Sequence, residues 1–363
     1  MKPQDLEGIE LEHAPIGLTI HYTVLCFNDS FNHRGKEFFT NFINEFGKVK
    51  KWIISSDYAF YDKDKKNDVV TFSIFPHLAH FNKMSDYINA IAPADIKKVK
   101  SVSDEFITFL SSGPVFNISF ILDRERRMHS DERSYHLNRL ESMIRLLEYW
   151  CKSTPEGKEN YQKRILELNK AKDLINSPGV NLRIFRDIEI VAQLAAFLLA
   201  EISMAADVEI ISWLSDRDSM LTFKNKIIGD YMLEQVASTY HVLCGNNGVD
   251  SSEKLLLPKP KPKPKPKPKP KPKPKPKPKP KPELEGDNFY DSFIRIPDYI
   301  SGTLADFDFE KNKSSRPKFE KVKNGTFSEE SRNIIYQLFF HPNFRAYRIP
   351  WEVESDGDIK VID

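Results

Sequence analysis

The chain has only 3 cysteines in 363 residues. Cys26, Cys151 and Cys244 lie far apart, which excludes a disulfide framework and a paired-cysteine metal clip. A reducing cytoplasm is the expected compartment. The opening stretch MKPQDLEGIELEHAP is charged and lacks the apolar core of a signal peptide. Apolar runs of bilayer length are missing too. The longest, IVAQLAAFLLAEISMAA from Ile190 to Ala206, is too short and contains Gln193 and Glu201. It reads as a buried helix, and no membrane partner is expected. The P-loop, GxSxG, HExxH and Rossmann glycine patterns are all absent, which removes the commonest motif-bearing enzyme classes.

Positive charge is scarce outside one place. Lys and Arg total 54 against 52 Asp and Glu, but 13 prolines and 12 lysines alternate without a break from Pro258 to Pro282. Setting those lysines aside leaves 42 basic side chains against 52 acidic ones, a net of about −10. The remainder is thus mildly acidic, unlike a domain that coats nucleic acid. Within the tract every second residue lacks an N–H and forces its neighbour toward extended geometry, so neither helix nor paired strand can form. A disordered polyproline II segment is expected. Such a rod could attract nucleic acid or acidic partners without reading sequence. Alternatively it is a repeat expansion in a tolerated surface loop, since long loops cost little extra closure entropy. Its regularity, and the core-like sequence that resumes after it, favour the second reading.

What is present in quantity is aromatic core material, 26 Phe, 13 Tyr and 4 Trp spread along the chain. Residues 1–257 and 283–363 are expected to form one α/β domain interrupted by residues 258–282. GLTIHYTVLCFNDS reads as a first strand, and KWIISS, DVVTFSIFP, PVFNISFILD and DVEIISWLSD as further strands. GKEFFTNFINEFGKVK carries Phe38, Phe39, Phe42, Ile43 and Phe46 on one helical face. HLAHFNKMSDYINAIA is also helical. A helical hairpin is expected within about 130–178, where Leu137, Leu140, Ile144, Leu147 and Trp150 form a stripe. VNLRIF looks strand-like, and LTFKNKIIGDYMLEQVASTYHVLC helical. After the tract, NFYDSFIRIPDYISGTLADFDFE resumes a helical pattern, and the acidic tail suggests an edge hairpin.

Chemistry-bearing residues cluster at the expected strand ends. ISWLSDRDSM delivers Asp216 and Asp218 just beyond a strand, FILD ends on Asp123, and CFNDS ends on Asp29. Carboxylates from several strand ends are what a divalent cation with phosphate ligands requires. Each of these acids alone is equally ordinary turn chemistry. In IRIPDYISG, Asp298 sits among apolar residues, where an ion is costly to bury unless it is paired or bound to a cation. The alternative is a first-turn helix acid after Pro297. His77 and His80 in FPHLAH have metal-compatible spacing but no companion carboxylate or cysteine cluster. Arg124 and His129 in RERRMH match the R-x4-H spacing of HEPN ribonucleases. Glu125 stands where that pattern usually has Asn, Asp or His, and the preceding segment is strand-like rather than helical.

IRIPDYISGTLADF resembles the closing motif of the RNase H-like domain-of-unknown-function family numbered 3800, in which an Asp in Q-x-A-D-x-x-x-G starts the last helix. Asp298 and Gly302 fit, while Arg295 and Pro297 replace the usual Gln and Ala. Asp216 fits as the strand-terminal acid upstream. The D-E-S-G of the first strand has only FNDSF, with Asp29 and Ser30, as its counterpart. The resemblance implies an RNase H-like mixed sheet with flanking helices and Mg2+- or Mn2+-dependent cleavage of RNA or DNA. Asp216 and Asp298 are the expected catalytic pair, and Asp29, Asp123 and Asp218 are further metal candidates. The competing class is a non-catalytic interaction protein on a degenerate nuclease fold, its basic tract binding nucleic acid or acidic partners.

Overall fold

A computed structural model describes residues 20–261, 288–329, 331–354 and 358–361. The Lys-Pro tract from Pro262 onward therefore lies outside the described residues. Three apolar runs form an antiparallel meander, β1 (Lys51–Ala59), β2 (Asp68–Pro76) and β3 (Phe116–Leu122). β4 (Ile210–Ser215) joins parallel to β1, with Ser56 opposite Ser215, and β5 (Leu255–Leu256) joins parallel to β4. On the other side β6 (Asn333–Phe339) lies parallel to β3 and is flanked by antiparallel β7 (Arg345–Arg348). The result is one mixed seven-stranded sheet in the order β5-β4-β1-β2-β3-β6-β7. The tail forms a separate two-stranded hairpin, β8 (Trp351–Val353) with β9 (Ile359–Val361).

β2 and β3 are buried along their whole length because helices cover both faces of the sheet. One face carries α1 (Tyr22–Ser30), α2 (Lys36–Glu45), α7 (Leu182–Ala205) and α10 (Tyr231–Asn246). The other carries α3 (Phe81–Ile91), α4 (Asp104–Ser112), α11 (Asp291–Asp306) and α12 (Pro317–Thr326). α5 (Glu132–Ser153) and α6 (Lys158–Asn176) form the expected helical hairpin, and the one-turn helices α8 (Ser219–Thr222) and α9 (Asn225–Ile228) link β4 to α10. α7 is long and apolar enough to cross a membrane, but 89% of its apolar window is buried inside the fold, as expected of a core helix.

Three local expectations are corrected. GLTIHYTVLCFNDS is not a strand: residues 22–30 form α1, which turns Val24 and Phe27 inward, with Phe31 following in a π-helical turn. β-branched and aromatic content there reflects burial against β7 rather than strand pairing, a case of tertiary context overriding local preference. VNLRIF likewise supplies the first turn of α7, not a strand. The helix expected over residues 221–244 is broken, because Lys224 and Gly229 adopt positive φ angles of 48° and 66°. α10 starts only at Tyr231.

Candidate active site

β1 and β4 run parallel, so their C-terminal ends open on the same edge of the sheet. Along β1 the side chains alternate. Trp52, Ile54 and Ser56 face the α7 side, Ser56 accepting the Trp213 indole N–H at 3.0 Å. Ile53, Ser55 and Asp57 face α11. Asp216 continues the ladder one residue past β4, its amide donating to the Ser56 carbonyl at 3.0 Å. This sets Asp216 beside Asp57 across two adjacent strands.

The third acid comes from α11. The sequence suggests that this helix begins near Pro297, yet it begins at Asp291 and Pro297 lies inside it. A proline there removes the hydrogen bond that the carbonyl of Phe293, four residues earlier, would otherwise accept. The Ser55 hydroxyl of β1 donates to that carbonyl at 3.0 Å. The proline thus fits the helix and docks it onto β1. Asp298 and Ser301, three residues apart, then share the face turned toward β1. Ser301 donates a hydroxyl hydrogen bond to Asp57 Oδ2, and Asp298 Oδ2 accepts the Ile96 amide at 2.7 Å. Gly302 leaves room for this approach, since a Cβ there would come within 2.9 Å of Ile96 Cγ2.

Two of the three carboxylates are displaced by burial and by neighbouring charge. Burial, then the Asp298 and Asp216 charges, hold the Asp57 carboxyl well above its ordinary range. Asp298 is pushed up to about 6, first by burial and then by Asp95 and Asp216, against the Ile96 amide, which lowers it. Lys97 offsets both acids in part. All three acids line one cleft of about 1030 Å³, whose walls also carry Tyr61, Arg183 and Phe289.

The sequence-predicted acids divide accordingly. Asp216, Asp218 and Asp298 all line the cleft. The Asp218 carboxylate caps α8, accepting the Met220 amide at 2.9 Å. Asp29 is not at a strand end: it is exposed on α1 and does not line the cleft. Asp123 does end β3, but β2 separates it from β1, and its Oδ1 accepts the Glu125 amide at 3.0 Å in an ordinary turn. His80 caps α3, and Arg124 donates to the Asp62 carbonyl at 3.0 Å, so neither the histidine spacing nor the Arg-His spacing builds a site. Among the described residues no group of three or more His, Cys, Asp or Glu side chains stands close enough together to hold a metal ion.

Compared with family models, curated proteins and solved structures, the chain matches none.

Sequence reasoning missed Asp57. The signal available was alternation: once KWIISSDYA is a strand, Ile53, Ser55 and Asp57 share a face, and an acid continues an otherwise apolar and small row. The expected strand KWIISS stops at Ser56, one residue before Asp57 and three before the end of β1 at Ala59.

Proposed function

We propose that the chain is a divalent-metal-dependent phosphodiester hydrolase acting on nucleic acid, with an RNase H-like sheet, and that Asp57, Asp216 and Asp298 hold the cation. The observation that carries this reading is the convergence of Asp57 from β1, Asp216 from the end of β4 and Asp298 from α11 on one cleft. Like charges buried together oppose folding, and such arrangements are concentrated at functional sites. Hard carboxylate oxygens suit Mg2+ or Mn2+. As they stand the three side chains do not form a group that could hold an ion, but two of them keep an oxygen free for one. Ser301 and Ile96 each engage an Oδ2 atom, while no hydrogen bond among the described residues engages Oδ1 of Asp57 or of Asp298.

The order of the acids supports the RNase H-like assignment: one in the first strand of the sheet, one at the end of a later strand, one in a following helix. Asp57 takes the first-strand role expected of Asp29. A bound divalent cation supplies charge stabilisation for a phosphoryl group under attack. The chain's own residues do the rest. Ser301 fixes the Asp57 carboxylate, and the β-ladder fixes Asp216. The Ile96 amide fixes the Asp298 carboxylate. Asp218, occupied in capping α8, stands as an outer member of the acidic group.

The test is cleavage of labelled DNA and RNA, single-stranded and duplex, by the full chain in Mn2+ or Mg2+. Asp57→Asn and Asp298→Asn are each expected to lower the rate by about two orders of magnitude or more. Nucleic-acid binding by the wild type without cleavage under any of these conditions would leave the non-catalytic interaction protein in its place.

A further inference from the structure

One wall of the cleft is built around a strained residue. Tyr61, just past β1, has a φ of 55°, a left-handed conformation that is costly for an aromatic side chain. The surroundings hold it from both ends. Its amide donates to Asp68 Oδ1 at 2.9 Å, and its hydroxyl donates to Asp187 Oδ1 at 3.1 Å. Those two acids are fixed in turn by Arg126, which reaches Asp68 at 2.7 Å and Asp187 at 2.9 Å and is itself fully buried. A strained residue held so firmly calls for a reason beyond packing, because packing alone would be served by a relaxed one.

Arg183, in the first turn of α7, lies over the ring that this network fixes, 4.2 Å from its centroid. The side chain is exposed in the cleft, and among the described residues no carboxylate lies within 4.0 Å of it. Among the described residues Lys97 on the same walls is likewise without a carboxylate within 4.0 Å, whereas Lys98 is paired with Asp95 at 2.6 Å and Arg217 with Asp291 at 3.0 Å. A guanidinium resting on an aromatic face keeps the N–H groups of its edge for another partner. That edge matches two phosphate oxygens in one plane.

We infer that Arg183, preset by Tyr61, is a phosphate-holding subsite of the cleft that grips a backbone phosphodiester of a nucleic acid strand away from the three carboxylates. This inference rests on the proposed phosphodiester chemistry for its ligand class, but it concerns binding alone. Tyr61 is a positioning residue: it holds the guanidinium where the strand passes, so that the charge is not spent on a carboxylate of the protein.

The experiment measures equilibrium binding of a labelled 12-nucleotide single strand by the full chain in EDTA, where no cleavage occurs. A series of strands carries one neutral methylphosphonate linkage at each position in turn. In the wild type, one internal position is expected to weaken binding about tenfold when neutralised, the size of one charge-assisted contact. In Arg183→Ala the all-phosphate strand binds about tenfold more weakly and that position loses its effect. Arg183→Lys, which keeps charge without the planar edge, recovers only part of the loss, and thermal melting verifies that both variants fold. Identical position profiles for wild type and Arg183→Ala, or no binding by the wild type, overturn the subsite. A wild type that shows the profile but never cleaves in Mn2+ overturns the hydrolase reading and leaves the subsite standing.

Discussion

The Ser301 hydroxyl of α11 donates to the Asp57 carboxylate of β1, and it is the one hydrogen bond to that carboxylate among the described residues. A buried acid beside two others thus receives little help in carrying charge. Folded Asp57 and Asp298 keep protons that the unfolded chain releases. Stability should therefore fall as pH rises from the ordinary carboxylate range, about 4, through about 6 for Asp298, the fall extending higher for Asp57. Asp57→Asn removes one of the repelling charges. In metal-free buffer at pH 8 it should stabilise the protein by about 1–3 kcal/mol, with the gain shrinking toward pH 4. Urea denaturation across that range checks this. A variant that is less stable than the wild type at pH 8 would show that the acids are not in conflict.

Relief of the same repulsion by a cation is the second expectation. Mn2+ or Mg2+ should raise the wild-type melting temperature, by about 2.7 kcal/mol of stability at a hundredfold excess over the dissociation constant. Matched ionic strength in NaCl should not reproduce it, because screening acts weakly on buried charges. In Asp57→Asn and Asp298→Asn the divalent effect should largely vanish. Equal shifts in all three proteins would place the cation elsewhere.

How much of this was legible in the sequence depends on whether local pattern and tertiary setting agree. β2 and β3 were readable because strands covered on both faces become continuous apolar runs, as in VVTFSIF and FNISFIL. The hairpin of α5 and α6 was readable because its stripe has helical period. α1 was not, since a helix wedged against β7 and the sheet uses the same Val, Phe and Thr that strands use. The site was half legible. Asp216 and Asp298 stand out as acids after or within apolar runs, but alternation marks Asp57 only as an acid on the inward row of β1, and its place beside Asp216 needs β1 and β4 to be parallel neighbours. Nor does any spacing predict Ser55 filling the hydrogen bond that Pro297 removes.

Arg126 gives a third prediction. It is fully buried between Asp68 and Asp187, and burial disfavours its charge while those two carboxylates and Tyr61 support it. Arg126→Met keeps the bulk and leaves the two buried acids only their longer contacts with a cation, Asp68 with Arg124 at 3.5 Å and Asp187 with Arg186 at 4.0 Å. Removal of one member of such a group costs about 3–5 kcal/mol. The loss should be read in urea denaturation at pH 7, and a cost below about 1 kcal/mol would mean that Asp68 and Asp187 find other partners. Because Asp68 and Asp187 also hold Tyr61, the variant should disturb the Arg183 wall of the cleft as well as stability.

The last prediction concerns the Lys-Pro tract. Before it, β5 is paired to β4, and after it α11 is packed on β1 and β2. The two flanks also meet directly, the Lys261 amide donating to Asn288 Oδ1 at 2.8 Å. Chain ends already in contact can be joined by a short linker without moving either flank. Replacing residues 262–287 with a few Gly and Ser residues should therefore raise stability by no more than about 2 kcal/mol, since the change is about three doublings of loop length and each costs only about 0.6 kcal/mol. Nucleic-acid binding should respond differently. Lysines that contact phosphate release counterions, so the shortened chain should show weaker binding at low salt and a shallower dependence on salt. Arg183 is untouched by the replacement, so the position profile of the neutral linkages should persist. An unfolded shortened chain would mean that the tract is part of the fold, while an unchanged salt slope would mean that its lysines never meet the strand.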